Sequence, residues 1–182
     1  MSVSRFSLAT LELADDRRVR ELWGRPPINL YRVLAHQPKI LRAWIEWNNE
    51  LRHGCELPRA LRELIFLRSA KLQGSDYEWT QHLVMARKAH LHEHKIQAVS
   101  AWYTVDLYDE RERATLRATD EITNERLTDA TFEALRAVFS PAETLEVIVT
   151  ASHACMLGRV IQAIGVTTAG EDLGAEVRKQ ED

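Results

Sequence analysis

Three polar residues near the middle of the chain, Ser75, Glu78 and His82, have spacings that place them on one face of a helix. The helical repeat keeps the three side chains within about 60° of one another. Glu78 and His82 are four residues apart, so their side chains can meet. Because a carboxylate beside an imidazole fixes its tautomer and raises its basicity, this pattern is typical of a general base or a proton shuttle.

The residues around this trio predict that it occupies the first two turns of its helix. Gly74 is expected to end the preceding helix, and Ser75 or Asp76 to cap the new one. The N-terminus of a helix carries positive potential and free N–H groups, which favour an anion such as a carboxylate or an enolate. Spacing alone also fits a solvated Glu–His pair, which contributes about 0.2–0.5 kcal/mol to a helix.

The remaining histidines offer weaker candidates. His153 lies within an apolar run, where a histidine is either a hydrogen-bonded core residue or part of a site. His90, His92 and His94 alternate along the chain and could share a metal ion only if the segment were extended. The charges around them favour a solvated turn and a helix start, so no metal site is predicted.

The composition narrows the class of protein. The 182 residues are 45% hydrophobic and include only seven glycines and five prolines, which suits one helical domain. The net charge of -3, with acids and bases interleaved, predicts no nucleic-acid partner. The N-terminus resembles no signal peptide, and the apolar stretch from Leu145 to Ile164 contains polar residues that favour a buried helix over a membrane span. We therefore expect a cytoplasmic protein without a membrane partner.

Capping and breaking residues predict an all-α fold. Asn29 is expected to cap a short helix, and Asp109 to open a charged amphipathic one. The other predicted helices span about 15–23, 38–53, 58–73, 75–89, 93–103, 128–139 and 141–164. The predicted divisions are an N-terminal helical extension at 1–37, the main domain at 38–166 and a polar, disordered tail at 167–182.

The segment 61–91, LRELIFLRSAKLQGSDYEWTQHLVMARKAHL, resembles the carboxymuconolactone decarboxylase / alkylhydroperoxidase D-like superfamily. In the redox branch of that superfamily, a Glu is followed by eleven residues, a C-x-x-C pair, three residues and a His. Here Glu63 is followed by eleven residues and Ser75, Glu78 occupies the second cysteine position, and His82 occupies the histidine position. The chain therefore resembles the non-redox branch. The resemblance extends over about 38–166.

Two departures from the family pattern stand out. His90 occupies a position where these proteins usually carry glycine, which makes that helix end atypical. The segment Ser152-His153-Ala154-Cys155 replaces a usual Gly-His-Tyr, which bears on the shape of the site. The resemblance otherwise implies an alkylhydroperoxidase D-like bundle of about eight to nine helices. It also implies a homo-oligomer, either a dimer, a trimer or a hexamer.

The resemblance implies a cofactor-independent lyase or isomerase acting on a small lactone or keto acid. His82 would be the acid/base and Glu78 its orienting partner, while Glu63 would add a second carboxylate whose proximity raises the pKa of one of the two. Ser75, His153 and Trp79 are the predicted substrate-binding residues.

The sequence also bears on two other functions. A non-catalytic ligand-binding or assembly role is the main alternative to catalysis. A thiol peroxidase is disfavoured, because Cys55 and Cys155 are isolated and the chain has no C-x-x-C.

Overall fold

The computed structural model describes residues 4–9, 28–171 and 173, which contain eight α-helices and no strand. In chain order the α-helices are α1 (Asn29–Leu34), α2 (Pro38–Asn49), α3 (Arg59–Gln73), α4 (Asp76–Lys88), α5 (Glu93–Ala98), α6 (Glu110–Asn124), α7 (Asp129–Val138) and α8 (Pro141–Ile164). A π-helical turn, Glu50–Gly54, follows α2, and a 3-10 helix, Val99–Thr104, follows α5. The predicted all-α class is confirmed.

The chain divides into two compact units, one made of residues 1–50 and 163–182 and the other of residues 51–162. The predicted helix at 15–23 and most of the predicted disordered tail lie outside the described residues. The predicted domain boundaries, at 37/38 and 166/167, stay predictions.

In the first unit, the role expected of Asn29 is wrong. Ile28 is the N-cap of α1, and Asn29 is the first residue of the helix. The Asn29 side chain instead donates hydrogen bonds to the carbonyl oxygens of Thr167 and Ala169, both at 2.9 Å. An amide has two donor hydrogens, so Asn29 can satisfy two carbonyls of the chain that follows α8.

In the second unit, short-range signals set the helix starts as expected. The Ser75 hydroxyl accepts from the backbone N–H of Glu78 at the start of α4. Asp109 and Glu112 form a reciprocal capping box at the start of α6. Thr128 caps α7 by accepting from the backbone N–H of Thr131. These side chains satisfy N–H groups that a helix start leaves without a partner.

The end of α4 explains the unusual His90. His90 has φ of 58°, the only positive value at a non-glycine position among the described residues. Its backbone N–H bonds the carbonyl of Arg87, and the next N–H, of Leu91, bonds the carbonyl of Ala86. This is the Schellman pattern of helix ends, which glycine usually completes. The departure from the family pattern at this position is therefore structural.

Helix α3 is the central element of the second unit and packs against both α4 and α6. Its apolar residues Leu64, Ile65 and Leu67 are fully buried. At its C-terminal end, Gln73 donates to the carbonyl of Ala154 on α8. A Cβ atom at Gly158 would lie within 3 Å of the Gln73 amide group, so a larger residue there would displace the Gln73 side chain.

Helix α8 is long and apolar enough to cross a membrane, with a mean hydropathy of 1.5 over its most apolar 18 residues. Half of that window is buried inside the protein. Its buried residues include His153, Ala154 and Gly158.

Candidate functional site

His82 on α4 and Glu63 on α3 form a buried hydrogen-bonded pair. Nδ1 of His82 lies 2.8 Å from Oε2 of Glu63, and the two side chains are only 8% and 9% exposed. Because a carboxylate can only accept, this contact assigns a proton to Nδ1, and in the neutral tautomer Nε2 is the nitrogen left to act as a base. The other Glu63 oxygen lies 3.9 Å from Nε of Arg59, whose side chain is half exposed.

The local sequence explains how this pair comes together. Gly74 adopts a left-handed conformation with φ of 64° at the end of α3, and Ser75 caps α4 immediately afterwards. A left-handed residue costs glycine nothing, since it has no Cβ atom. The resulting sharp turn lets α4 pack on α3, which brings together two residues 19 positions apart.

The orienting role expected of Glu78 is wrong, because Glu63 holds His82 instead. Glu78 is 1% exposed, and neither of its carboxyl oxygens has a hydrogen-bond partner among the described residues. Burial raises the pKa of Glu78 well above its ordinary value, and the nearby Ser75 hydroxyl lowers it only in part. The high pKa favours a neutral carboxylic acid. The cause is burial and not the neighbouring carboxylate that the sequence suggested.

His153 on α8 reaches the same region through Phe66 on α3. The Phe66 ring stacks on His82, with centroids 4.0 Å apart, and meets His153 at a right angle with centroids 6.1 Å apart. Burial, with smaller contributions from His82 and Arg52, lowers the pKa of His153 to about 4. His153 is therefore a neutral imidazole at physiological pH.

Trp79 faces a different neighbour from the other predicted site residues. Its ring lies under Nζ of Lys71, which is 3.7 Å from the ring centroid. This is the geometry of a cation–π contact. The structure thus brings together Glu63, Ser75, Glu78, His82 and His153, while Trp79 contacts a lysine of α3.

The two cysteines are not joined by a disulfide. Cys55 is half-buried and Cys155 is buried. Sγ of Cys155 lies 4.0 Å from the carbonyl oxygen of Thr123 on α6, whereas His153 on the same helix contacts Phe66. Within the described part of the chain, no three His, Cys, Asp or Glu residues form a group able to hold a metal ion.

Sequence reasoning missed two residues of this region, Phe66 and Arg52. Phe66 lies three positions after Glu63, so helical spacing could have placed it beside the carboxylate. Arg52 lies in the π-helical turn, and its Nη2 atom is 3.9 Å from Sδ of Met85 on α4. No helical pattern in the sequence indicated that contact, because the two residues are 33 positions apart.

Comparison with known proteins finds a family match in the part of the chain that contains the Glu63–His82 pair. Residues 38–121 match the model of the carboxymuconolactone decarboxylase family. The matched range contains Glu63, Ser75, Glu78 and His82, but not His153. No curated protein matches the chain significantly.

Solved structures share the fold at low sequence identity. A peroxidase-related protein from Ralstonia eutropha JMP134 with an alkylhydroperoxidase AhpD core is 21% identical, with a TM-score of 0.77 over 94% of this chain and 95% of that one. A peroxidase-related protein from Silicibacter sp. TM1040 is 20% identical, with a TM-score of 0.79 over 94% of each chain. A cysteine-to-alanine variant of the debrominase Bmp8, in complex with 2,3,4-tribromopyrrole, is 20% identical, with a TM-score of 0.73 over 99% of this chain and 100% of that one. At these identities the likeness establishes the AhpD-like fold and nothing finer.

Proposed function

We propose, from the premise that residues 38–121 belong to the carboxymuconolactone decarboxylase family, that this chain is a cofactor-independent enzyme. Its reaction is proton transfer at carbon in a small keto acid or lactone, either alone or after loss of CO₂. One observation carries the proposal: the Glu63–His82 hydrogen bond lies on the same helix pair as a buried Glu78 that has no hydrogen-bond partner among the described residues.

His82 is the acid/base of the proposed reaction. Its Nε2 atom removes a proton from the carbon beside a carbonyl group, or the imidazolium protonates the carbanion that remains after CO₂ leaves. Glu63 keeps the ring in one tautomer and one orientation, and its negative charge stabilises the imidazolium that forms. In proton transfer alone, the proton that Nε2 takes from carbon is returned to carbon. In decarboxylation, the carbon–carboxylate bond breaks to release CO₂, the imidazolium gives its Nε2 proton to the carbanion, and solvent protonates Nε2 again.

Glu78 stabilises the enolate in this proposal. A carboxylic acid kept neutral by an apolar environment can donate a hydrogen bond to a developing oxyanion. The raised pKa of Glu78 supports that form. Ser75 and the N–H groups at the start of α4 add positive potential on the same side, because α4 begins there.

A non-catalytic ligand-binding role is the competing proposal, and one observation favours it. The side chains of His82 and Glu63 are more than nine-tenths buried, which restricts access to substrate. A thiol peroxidase is disfavoured, because Ser75 and Glu78 occupy the cysteine positions and Cys155 faces α6. The structural likeness to a debrominase adds brominated aromatic compounds to the substances worth testing.

The test follows proton transfer itself and needs no known product. The protein is incubated in D₂O with a panel of small keto acids and lactones, and loss of α-proton signals and release of CO₂ are measured. His82→Ala should lower the rate by about 10²–10⁴-fold, the usual contribution of a positioned acid/base. His94→Ala, which changes an exposed histidine, is the matched control. Exchange that survives in His82→Ala, or no exchange with any panel member, would contradict the proposal.

We also propose that the chain forms a homo-oligomer. The exposed side of α8 carries large apolar side chains, with Leu145 61% and Met156 43% exposed. Large apolar groups of this kind mark association surfaces when they lie together. Light scattering that gives a 20.9 kDa particle at micromolar concentration would contradict this proposal.

A further inference from the structure

We propose that Arg52 binds a non-reacting carboxylate of the substrate beside His82, and so restricts the enzyme to anionic keto acids and lactones. This inference rests on the proposed function for the reaction at His82. It adds a substrate class, the anionic keto acids and lactones, and names Arg52 as the residue that recognises their carboxylate. The carboxylate that Arg52 holds is distinct from any carboxylate lost as CO₂, because the guanidinium would stabilise the group that has to leave.

The backbone of Arg52 is fixed by a buried arginine. Nη2 of Arg62 donates to the carbonyl oxygen of Arg52 at 2.8 Å, and Nη1 donates to the carbonyl oxygen of Leu57 at 2.6 Å. Arg62 is 8% exposed and lies on α3, the helix that also carries Glu63. A π-helical turn is rare and frequently occurs at functional sites. Here the π-helical turn contains Arg52, and Arg62 of α3 holds its backbone carbonyl.

The side chain of Arg52 points to the catalytic face of α4. Its Nη2 atom lies 3.9 Å from Sδ of Met85, which follows His82 by three residues. Helical geometry puts Glu78, His82 and Met85 on one face of α4. The positive charge of Arg52 also contributes to the lowered pKa of His153. Arg52 therefore lies against the face of α4 that carries His82, and it is only half-buried, so solvent reaches it.

The negative charge of Glu63 explains why an anionic substrate would need a positive group near His82. An anionic substrate approaching His82 meets the carboxylate of Glu63, which repels it. Burial favours the neutral forms of both Glu78 and His153, and neutral groups do not offset that repulsion. A guanidinium offsets it, and its fork of N–H donors fits a carboxylate with two parallel hydrogen bonds.

The experiment measures binding without turnover. Calorimetric titration of the full chain compares laevulinate, a small keto acid, with its uncharged methyl ester. We expect the wild type to bind laevulinate saturably and the ester at least tenfold more weakly. Arg52→Gln should weaken laevulinate binding by about tenfold or more, leave ester binding unchanged and so remove the discrimination, as loss of a charge-assisted pair predicts. Arg52→Lys should restore part of the affinity, because it keeps the charge without the fork.

Arg87→Gln is the matched control, because it removes the same charge from the opposite side of α4. Arg87 is exposed and pairs with Glu93, and its loss should leave laevulinate binding unchanged. Laevulinate binding by Arg52→Gln at wild-type strength, an equal loss in Arg87→Gln, or no saturable binding by the wild type would each overturn the inference. If binding depends on Arg52 but His82→Ala leaves proton exchange intact, the carboxylate site stands and the proposed function fails.

Discussion

Helix α3 carries two buried charged clusters, and they differ in how completely their polar groups are paired. The first centres on Arg68. Its Nε and Nη2 atoms bond the two carboxylate oxygens of Asp120 at 2.5 and 3.0 Å. Its Nη1 atom bonds the carbonyls of Val99 and Ser100, and the indole N–H of Trp102 donates to Asp120. Arg68 thus joins α3, α6 and the 3-10 helix. Each of its three guanidinium nitrogens has a hydrogen-bond partner, which is typical of a structural role.

The second cluster leaves one carboxyl group, that of Glu78, without a hydrogen-bond partner among the described residues. Glu63 and His82 satisfy each other, but Glu78 has two buried oxygens without a partner in the described part of the chain. His153 is buried deeply enough for its pKa to fall to about 4. A buried group without a hydrogen bond lowers stability by roughly 1–3 kcal/mol. A fold retains such groups most readily where a ligand or a reaction uses them.

The completeness of hydrogen bonding distinguishes the structural cluster on α3 from the candidate site on the same helix. Both clusters are buried and both contain a carboxylate hydrogen-bonded to a basic side chain, so burial and residue type alone do not distinguish them. Complete pairing indicates a cluster that holds helices together, whereas incomplete pairing and raised or lowered pKa values indicate a site. The two sets lie five residues apart on α3, which turns them about 140° from each other. One side of α3 can therefore stabilise the packing of the helices while the other side carries the candidate site.

The largest effect is expected when the complete cluster is broken. Asp120→Ala leaves the Arg68 guanidinium buried without its counter-ion, which should lower the free energy of unfolding by about 3 kcal/mol or more. Urea denaturation measures it. The control is Asp106→Ala, which removes a fully exposed partner of Arg113 and should leave the free energy of unfolding nearly unchanged. Equal losses in the two variants would mean that the Arg68 cluster is no more important than a surface pair.

The next effect concerns pH and His153. Because its folded pKa of about 4 lies below the ordinary 6.5, the unfolded chain binds more protons between these values. Stability from this residue is therefore present above pH 6.5 and lost as pH falls to about 4, by roughly 3 kcal/mol. His153→Gln should lose this part of the acid sensitivity, whereas His94→Gln at an exposed position should keep it. Parallel pH profiles for wild type and His153→Gln would disprove the assignment.

A smaller change, of opposite sign to Asp120→Ala, is expected at Glu78. Glu78→Leu removes a buried unpaired carboxyl and should raise the free energy of unfolding at pH 7 by about 1 kcal/mol. Proton exchange with substrate should fall, but by less than in His82→Ala. Since the folded pKa of Glu78 is raised, its stabilising contribution is present at low pH and lost as pH rises through the folded value. The gain should therefore grow with pH, and a stability loss at every pH would show that Glu78 is structurally paired.

The smallest effect tests redundancy within the complete cluster. Trp102→Phe removes the single indole N–H that donates to Asp120 and keeps an aromatic ring, though a smaller one. Asp120 keeps its two bonds to Arg68, so the hydrogen-bond loss should be less than about 1 kcal/mol. Thermal unfolding, compared with Trp79→Phe on α4, measures it. A loss as large as that of Asp120→Ala would mean that Trp102, and not Arg68, organises the cluster.

Much of the fold was predictable from sequence because its signals are local. The Ser75 cap, the Asp109 capping box, the Gly74 helix end and the long helix from Pro141 each depend on neighbours within four residues. The family register from Glu63 to His82 likewise gave the correct pair of helices. The predicted capping role of Asn29 is wrong because its hydrogen-bond partners lie 138 and 140 positions away, beyond the reach of a local pattern.

The site was predictable only in part, since helical spacing compares residues on the same helix. Glu78 was given the orienting role because it lies four residues from His82, but the crossing of α3 and α4 gives that role to Glu63. The same limit hid Arg52, whose contact with Met85 depends on a π-helical turn. A spacing argument can identify residues that share a face, but helix packing decides which of them meet.

The Phe66 ring, stacked on His82, has a spectroscopic consequence. The two rings are 8° from parallel with centroids 4.0 Å apart, so the imidazole protons of His82 lie in the shielding cone of the phenyl ring current. Their proton resonances should move upfield of those of the exposed His94. His153, set at 87° to the same ring, does not share the stacked geometry. The ring current of Phe66 thus gives the His82 protons a distinctive chemical shift. The protonation of His82 can therefore be followed by NMR without an added probe.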